Sequence, residues 1–398
     1  MSNNKKAPAI RFKGFNDDWE ERKLGSFTIS YSGGTPKVGK LEYYGGDIPF
    51  IRSAEINSKN TELFITESGL NSSSAKMVNV GDILYALYGA TSGEVGRSRI
   101  CGAINQAILA IKPTESDDSE FIAQWLRGQK ESIISTYLQG GQGNLSGNIV
   151  KDLSVSKPQN KAEQTQIGNF FRTLDHLITL QKRKCDKLIL LKKSMLDKMF
   201  PKGKKSIPEI RFKGFNDDWE ERKLGELGSV AMNKRIFKDQ TSEVGDVPFY
   251  KIGTFGGEPD AYIPRELFEE YKVKYPYPEV GDILISASGS IGRTVEYIGE
   301  DEYFQDSNIV WLKHDGRLNN SFLKQFYMMV EWEGLEGSTI KRLYNKNILE
   351  TQILLPSLAE QEKIGTFFRT LDNLTTLQKR KLEKLKIIKK SMLDKMFI

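Results

Sequence analysis

The chain has 398 residues, 38% apolar and 28% charged, which suits a globular protein of two or three domains rather than one. It holds no apolar run fit to span a bilayer, no signal-peptide pattern at its start and only two distant cysteines, so we expect a reducing, cytoplasmic setting without disulfides. The net charge of +6 is uneven: residues 181–205 carry ten Lys/Arg against two acids and residues 378–398 eight against two. The remainder is acidic, which excludes a chain coated uniformly in positive charge.

The chain is written twice. Residues 10–25 recur without change at 210–225, and residues 163–200 match 360–397 at 28 of 38 positions. A period near 200 is a tandem duplication. Between the shared segments the halves drift apart, but landmarks survive. Val80-Gly81-Asp82-Ile83-Leu84 answers to Val280-Gly281-Asp282-Ile283-Leu284, and Pro158 answers to Pro356. The expected divisions are a first domain over 1–160, a helix over 161–200, a second domain over 201–357 and a helix over 358–398.

In chain order, the region from about 26 to 160 reads as α+β. Short β-rich runs at Ile48–Arg52, Asp82–Tyr88 and Ala107–Ile111 are bounded by Gly, Asn and Ser, and one amphipathic helix follows over Glu120–Tyr137. Residues 163–200 then predict one long helix, with a seam at Ile167, Phe170, Leu174, Leu177, Gln181, Lys184, Leu188, Leu191 and Met195. Pro201 stops it. The region from 226 to 357 repeats the α+β pattern, with a strand at Ile309–Leu312 and a helix over Ser321–Trp332. The last helix repeats the seam at Ile364, Phe367, Leu371, Leu374, Gln378, Lys381, Leu385, Ile388 and Met392.

At 1.5 Å per residue each helix spans roughly 57 Å, and the obvious partner for each apolar stripe is the other copy. The order domain, helix, domain, helix then requires the two helices to run antiparallel, with the chain ends meeting. Phe170, Leu174, Leu177 and Leu188, with Phe367, Leu371, Leu374 and Leu385, are the expected packing residues.

Catalytic chemistry is missing. Two histidines (His176, His314) and two cysteines (Cys101, Cys185) assemble no zinc cluster at known spacings. There is no phosphate-binding loop and no Asn/Asp-Pro-Pro-Tyr/Phe run, so neither a cofactor nor an enzymatic activity is expected. Pro259-Asp260 followed by Glu270-Tyr271-Lys272 imitates a Mg²⁺ nuclease pattern. We read it as a decoy, because Leu267–Tyr271 is helical in pattern and the first half has no counterpart.

Phe170-Phe171-Arg172-Thr173-Leu174-Asp175, Leu180-Gln181-Lys182-Arg183-Lys184 and Met195-Leu196-Asp197-Lys198-Met199-Phe200, with their copies from Phe367 to Phe397, resemble the central helix of type I restriction–modification specificity subunits. Gly33-Gly34-Thr35-Pro36, the Val80–Leu84 run and Asn105-Gln106-Ala107-Ile108 resemble that family's target-recognition domains. The resemblance covers the chain from residue 8 onward. It implies two α+β target-recognition domains joined by two long antiparallel helices, each domain binding one half of a split double-stranded DNA target. It further implies that the helices act as a ruler and dock two methyltransferase subunits, with restriction subunits joining the full complex. Half-sites one turn apart, about 34–36 Å, would face two domains on a rigid spacer. The competing reading is a coiled-coil adaptor whose end domains bind proteins.

Loops combining Gly, hydroxyls and Arg allow close backbone approach to DNA while Arg reads guanine edges. The candidates are Thr35, Lys37, Thr91, Ser92, Arg97, Arg99, Gln142 and Asn144 in the first half, and Ser290, Arg293, Thr339, Lys341, Arg342 and Tyr344 in the second. The second half lacks the Gly-Gly-Thr-Pro run and has Met232-Asn233-Lys234-Arg235 nearby. The helix lysines Lys192, Lys193, Lys198, Lys389, Lys390 and Lys395 suit either of two roles, tracking phosphates or forming a solvated face at the helix end, and the balance tips slightly to the second.

Overall fold

The computed structural model describes residues 7–138, 144–203, 205–333 and 341–398. It divides into two compact units, one of residues 1–182 with 380–398 and the other of residues 183–379.

The elements in chain order begin with β1 (Glu20–Lys23), β2 (Thr28–Ser32), β3 (Tyr44–Ile51), β4 (Phe64–Ile65), α1 (Glu67–Asn71), β5 (Lys76–Val78), β6 (Ile83–Ala86) and β7 (Val95–Arg97). There follow β8 (Gly102–Ile104), β9 (Ile108–Pro113), α2 (Ser119–Gly128), α3 (Lys130–Tyr137), α4 (Gly147–Lys151), β10 (Ser154–Lys157) and the 39-residue α5 (Lys161–Met199). The second half gives β11 (Glu220–Lys223), α6 (Leu224–Leu227), β12 (Gly228–Ala231), β13 (Val247–Tyr250), β14 (Tyr262–Ile263), α7 (Arg265–Lys274), β15 (Ile283–Ser286) and β16 (Thr294–Glu296). It closes with β17 (Tyr303–Phe304), β18 (Ile309–His314), α8 (Asn320–Tyr327), α9 (Asn345–Glu350), β19 (Gln352–Leu355) and α10 (Leu358–Met396).

Each unit holds one antiparallel four-stranded sheet, β2-β9-β6-β7 in the first and β12-β18-β15-β16 in the second. β6 and β15 are buried at every residue, which suits the non-alternating apolar runs Ile83–Ala86 and Ile283–Ile285, with buried Ser286 closing the second strand. A second sheet, β4-β3-β8-β5 or β14-β13-β17, contains a parallel pair in each unit. The second unit has no counterpart of β5 among its strands and has a ten-residue α7 where the first has a five-residue α1. A two-stranded ribbon, β1 with β10 or β11 with β19, brings the chain to the long helix.

The shared segments build the junction between sheet and helix identically. Asp118 caps α2 by accepting from the Glu120 and Phe121 amides, and Asn319 caps α8 in the same way. The buried Gln164 accepts from Asp118 N at 2.9 Å and donates to Pro158 O at 2.9 Å, while Gln361 accepts from Asn319 N at 2.9 Å and donates to Pro356 O at 3.0 Å. Gly168 and Gly365 allow this approach. A Cβ would stand 2.9 Å from Asp118 Oδ1 in one and 2.7 Å from Ser321 Cβ in the other.

Within the first unit, residues 161–182 of α5 lie with the end of α10, and Asp175 pairs with Lys389 at 2.5 Å. Within the second, the start of α10 lies with residues 183–199 of α5, and Asp372 pairs with Lys192 at 2.6 Å. Both pairings are antiparallel. Lys192 and Lys389 are therefore interhelical partners rather than members of a solvated face. The incoming chain bonds to the helix end in the same way twice, Ile10 N to Lys395 O and Ile210 N to Lys198 O, both at 2.9 Å. Phe397 stacks on Phe171 in the first core, and Phe200 stacks on Phe322 in the second.

Two expectations need correction. The seam is displaced by one residue at alternate positions: Phe171, Cys185 and Leu382 are buried, whereas Leu177 and Leu374 are 42% and 41% exposed. The inward-facing set 167, 171, 174, 178, 181, 185, 188, of which 178 and 188 are half-buried, keeps the same 3–4 spacing with three of its seven members one residue later, so periodicity alone did not separate the two. Phe170, Phe367, Leu188 and Leu385 are half-buried, Leu174 and Leu371 buried, and Lys184, Leu191, Lys381 and Ile388 exposed. The helix over Glu120–Tyr137 is two helices broken at Gln129, and the helix expected to reach Trp332 ends at Tyr327.

Candidate nucleic-acid interface

At one end of each four-stranded sheet, three chain segments are tied together by backbone hydrogen bonds. In the first unit Leu87 N donates to Ala107 O and Leu145 N to Leu87 O, both at 2.8 Å, and Tyr88 bridges Asn144. In the second unit Ala287 N donates to Asn308 O at 2.7 Å and Leu343 N to Ala287 O at 2.8 Å, and Ser288 bridges Arg342. The segments are the hairpin loop after β6 or β15, the connection before β9 or β18, and the stretch before α4 or α9.

A fourth segment joins from the end of the first sheet strand. Gly33 packs so closely on β8 that a Cβ would fall 1.7 Å from Ile104 O, and two residues on the Thr35 hydroxyl donates to Gln106 Oε1 at 2.7 Å. In the second unit Arg235 occupies this place, its Nε donating to Asp306 Oδ2 at 2.9 Å. Met232-Asn233-Lys234-Arg235 thus does the structural work of Gly-Gly-Thr-Pro, with an ion pair replacing a neutral bond.

The structure gathers some of the sequence-derived candidates and separates others. Thr35 and Lys37 are exposed, Thr91 is half-buried, and Asn144 is exposed beside Tyr88. Ser92 is buried with its hydroxyl on Leu87 O at 3.2 Å, which makes it part of the loop's frame. Arg97 lies at the far end of β7 from the loop and is spent on Gly81 O at 3.0 Å and Glu120 at 2.9 Å. Arg99 is exposed in the turn beyond it. Gln142 and Thr339 lie outside the described residues.

In the second unit Ser290, Arg293, Lys341 and Tyr344 are exposed around the cluster. Arg293 reaches Gly256 O at 3.4 Å, and Arg342 spends Nη2 on Ser307 Oγ at 3.2 Å and Asn308 Oδ1 at 3.0 Å. Ser307 has φ 53°, the one positive φ outside glycine among the described residues. Arg235 was missed as an individual candidate, because its partner lies 71 residues away.

The nuclease-like pattern is dispersed into separate ion pairs: Asp260 with Lys251 at 2.9 Å, Glu270 with Lys274 at 2.9 Å, and Lys272 with Asp301 at 3.3 Å. His314 is held by Asn320 at 2.8 Å. Among the described residues no three His, Cys, Asp or Glu side chains gather as a metal site, and no helix is long and apolar enough to cross a membrane.

The sequence profile of the type I restriction modification DNA specificity domain matches residues 16–189 and again 216–387. The chain belongs to that family. It is similar to the S.HindORF215P protein of Haemophilus influenzae, 56% identical over 153 residues, which is 38% of this chain and 40% of that protein. It is also similar to the type I restriction enzyme MjaVIII specificity subunit of Methanocaldococcus jannaschii, 23% identical over 95% of this chain and 92% of the relative. Among solved structures, the type I restriction–modification S subunit of M. genitalium superposes with a TM-score of 0.65 at 18% identity, over 98% of this chain and 99% of that one. At that identity the likeness shows the fold. The duplicated specificity domain is thus both a sequence match and a repeated architecture, and the relatives give the adaptor alternative no support.

Proposed function

We propose that the chain is a non-catalytic reader of a bipartite double-stranded DNA target, each unit reading one half with the loop cluster at the end of its sheet. The observation that carries this is the same four-segment cluster built twice, from different residues, on a frame whose sequence is nearly unchanged. Two unlike surfaces on one frame suit two unlike half-sites. Thr35, Lys37, Thr91 and Asn144 in the first unit, and Ser290, Arg293, Lys341 and Tyr344 in the second, are among the side chains open to DNA at these clusters.

The reader would direct adenine methyltransferase and restriction subunits to that target. Leu177 and Leu180 on α5 and Leu374 and Leu377 on α10 leave an apolar stripe exposed at corresponding positions. A stripe repeated in this way fits two copies of one partner, the two methyltransferase subunits.

The test is co-expression with the neighbouring methyltransferase, followed by single-molecule sequencing for modified adenines. A split motif with one modified adenine in each half and a fixed gap is expected. A stable, active complex with no motif would overturn the proposal. Replacing residues 26–160 by the matching region of another such subunit should alter one half of the motif only.

A further inference from the structure

We propose that Arg235 reads a guanine in the half-site bound by the second unit, with Asp306 as its positioning residue; this rests on the DNA-reading function proposed above. Arginines around the two clusters differ in how much of the guanidinium is already used. Arg97 commits Nε and Nη1 to the frame, Arg342 commits Nη2 twice and Arg293 commits Nη2 to Gly256 O at 3.4 Å, so each has lost part of its Nη1/Nη2 edge. Arg235 commits only Nε, and among the described residues Nη1 and Nη2 have no partner. Its side chain is 59% exposed, whereas that of Asp306 is 17% exposed.

A carboxylate on the Nε edge does two things. It stops the planar head from swivelling, so the Nη1/Nη2 edge points in a fixed direction. It also offsets most of the positive charge, which makes Arg235 a weak clamp for phosphate but leaves its directional donors intact. Guanine presents two adjacent acceptors, N7 and O6, in the major groove, and a paired N–H edge matches them.

The base of this arrangement is rigid on both sides. Lys234 O accepts from the Tyr303 hydroxyl at 3.0 Å, and buried Asn233 donates to Pro276 O at 3.3 Å. Asp306 sits one residue before the left-handed Ser307, in the connection that Arg342 closes from the other side. Of the described arginines around the second cluster, Arg235 is therefore the one held by a carboxylate with its Nη1/Nη2 edge left whole. The first unit has the neutral Thr35–Gln106 pair in this place and should lack an equivalent contact.

The experiment uses the full chain assembled with its methyltransferase, and it maps the modified motif and competes oligonucleotides differing at single base pairs. Arg235→Ala should relax one guanine position of one half-site by about tenfold to a hundredfold, leaving the other half-site unchanged. Arg235→Lys should not restore it, because an ammonium lacks the two-pronged edge. Asp306→Asn should relax the same position by a smaller factor, since the donors survive but their aim does not. Thermal unfolding of each complex is run alongside, and an exposed Arg should leave it unchanged.

An unaltered motif in Arg235→Ala would overturn the inference. So would a uniform loss of affinity for all sequences with a shallower salt dependence, the mark of a phosphate contact. A native complex that modifies no split motif would instead overturn the DNA-reading function itself.

Discussion

The two units solve one structural problem with opposite chemistry. Beneath the ribbon in the first unit, Lys157 donates to buried Asp117 at 2.7 Å and meets Glu20 at 2.9 Å. In the second unit, strand register places Leu355 opposite Glu220 as Lys157 lies opposite Glu20, and buried Leu318 precedes the helix cap as Asp117 does. A buried ion pair in one unit and apolar packing of Leu318 and half-buried Leu355 into the core of the other thus hold the same backbone. At the other end of the sheet the polarity reverses, with a neutral Thr35–Gln106 bond in the first unit and the ionic Arg235–Asp306 pair in the second. The fold tolerates either chemistry provided each site is internally matched, so what differs between the units carries no information about the frame and can be given over to the target.

The comparison breaks first if the shared frame is not equivalent. Phe397→Ala and Phe200→Ala each empty an aromatic position in a closed core and should cost their own unit about 3–5 kcal/mol. Hydrogen exchange resolved by segment would show protection lost in residues 7–182 and 380–398 for the former and 183–379 for the latter. Loss spread evenly over both units would contradict two separate cores.

Next in size, Lys157→Leu alone leaves Asp117 buried without its cation and should destabilise the first unit by about 3 kcal/mol or more. Adding Asp117→Leu recreates the second unit's solution and should recover most of that loss, as chemical denaturation of the single and double variants would show. No recovery would mean that the two chemistries are not interchangeable. The outcome also depends on Gln164, which donates to Asp117 at 3.0 Å.

Acid sharpens the same contrast. Burial works against the Asp117 charge, but bonds from Lys157, Gln164 and Ser116 outweigh it and hold the carboxyl below its ordinary range. A depressed carboxyl stabilises the fold above its unfolded pKa, and that contribution is lost as pH falls through the folded one. In the second unit burial pushes the Asp282 carboxyl up despite bonds from Glu279 N and Asn320. That contribution has the opposite sign, favouring the fold at low pH and fading as pH rises. Below about pH 4, exchange protection should fall earlier in the first unit than in the second, and the order should disappear in the Asp117→Leu, Lys157→Leu double variant.

The smallest effect should come from the interhelical pairs. Lys389→Met and Lys192→Met each remove one partly buried lysine and should cost about 1 kcal/mol or less. Equal small losses by thermal unfolding would confirm that the pairs are equivalent, whereas a large loss in one alone would break the symmetry.

The duplication, both long helices and the central strands were legible because each rests on local repetition or on a residue's nearest chain neighbours, and the antiparallel pairing followed from the order of domains and helices. The phase of the helix seam was not. Phe170 adjoins Phe171 and Leu177 adjoins Ile178, so two apolar stripes fit the same spacing, and tertiary contacts choose between them. The arginines failed for a related reason. A Gly-rich loop ending in Arg97 reads like one ending in Arg293, and only the third dimension shows that Glu120 has taken the first. Arg235 carries no local signal, since what makes it distinctive is a carboxylate in another strand connection.

Phe397 completes the core of the first unit, yet more than two hundred residues separate it from Leu174, the last residue that α5 contributes to that core. Phe200, which does the same for the second unit, precedes nearly all of that unit. On the ribosome the second unit can therefore seal as it emerges, while the first must wait. At elongation rates of about 5–20 residues per second that interval is roughly 10–45 s. For that time the earlier-made half stands open to chaperones and proteases, and an interrupted transcript yields a molecule that its own first half marks as unfinished.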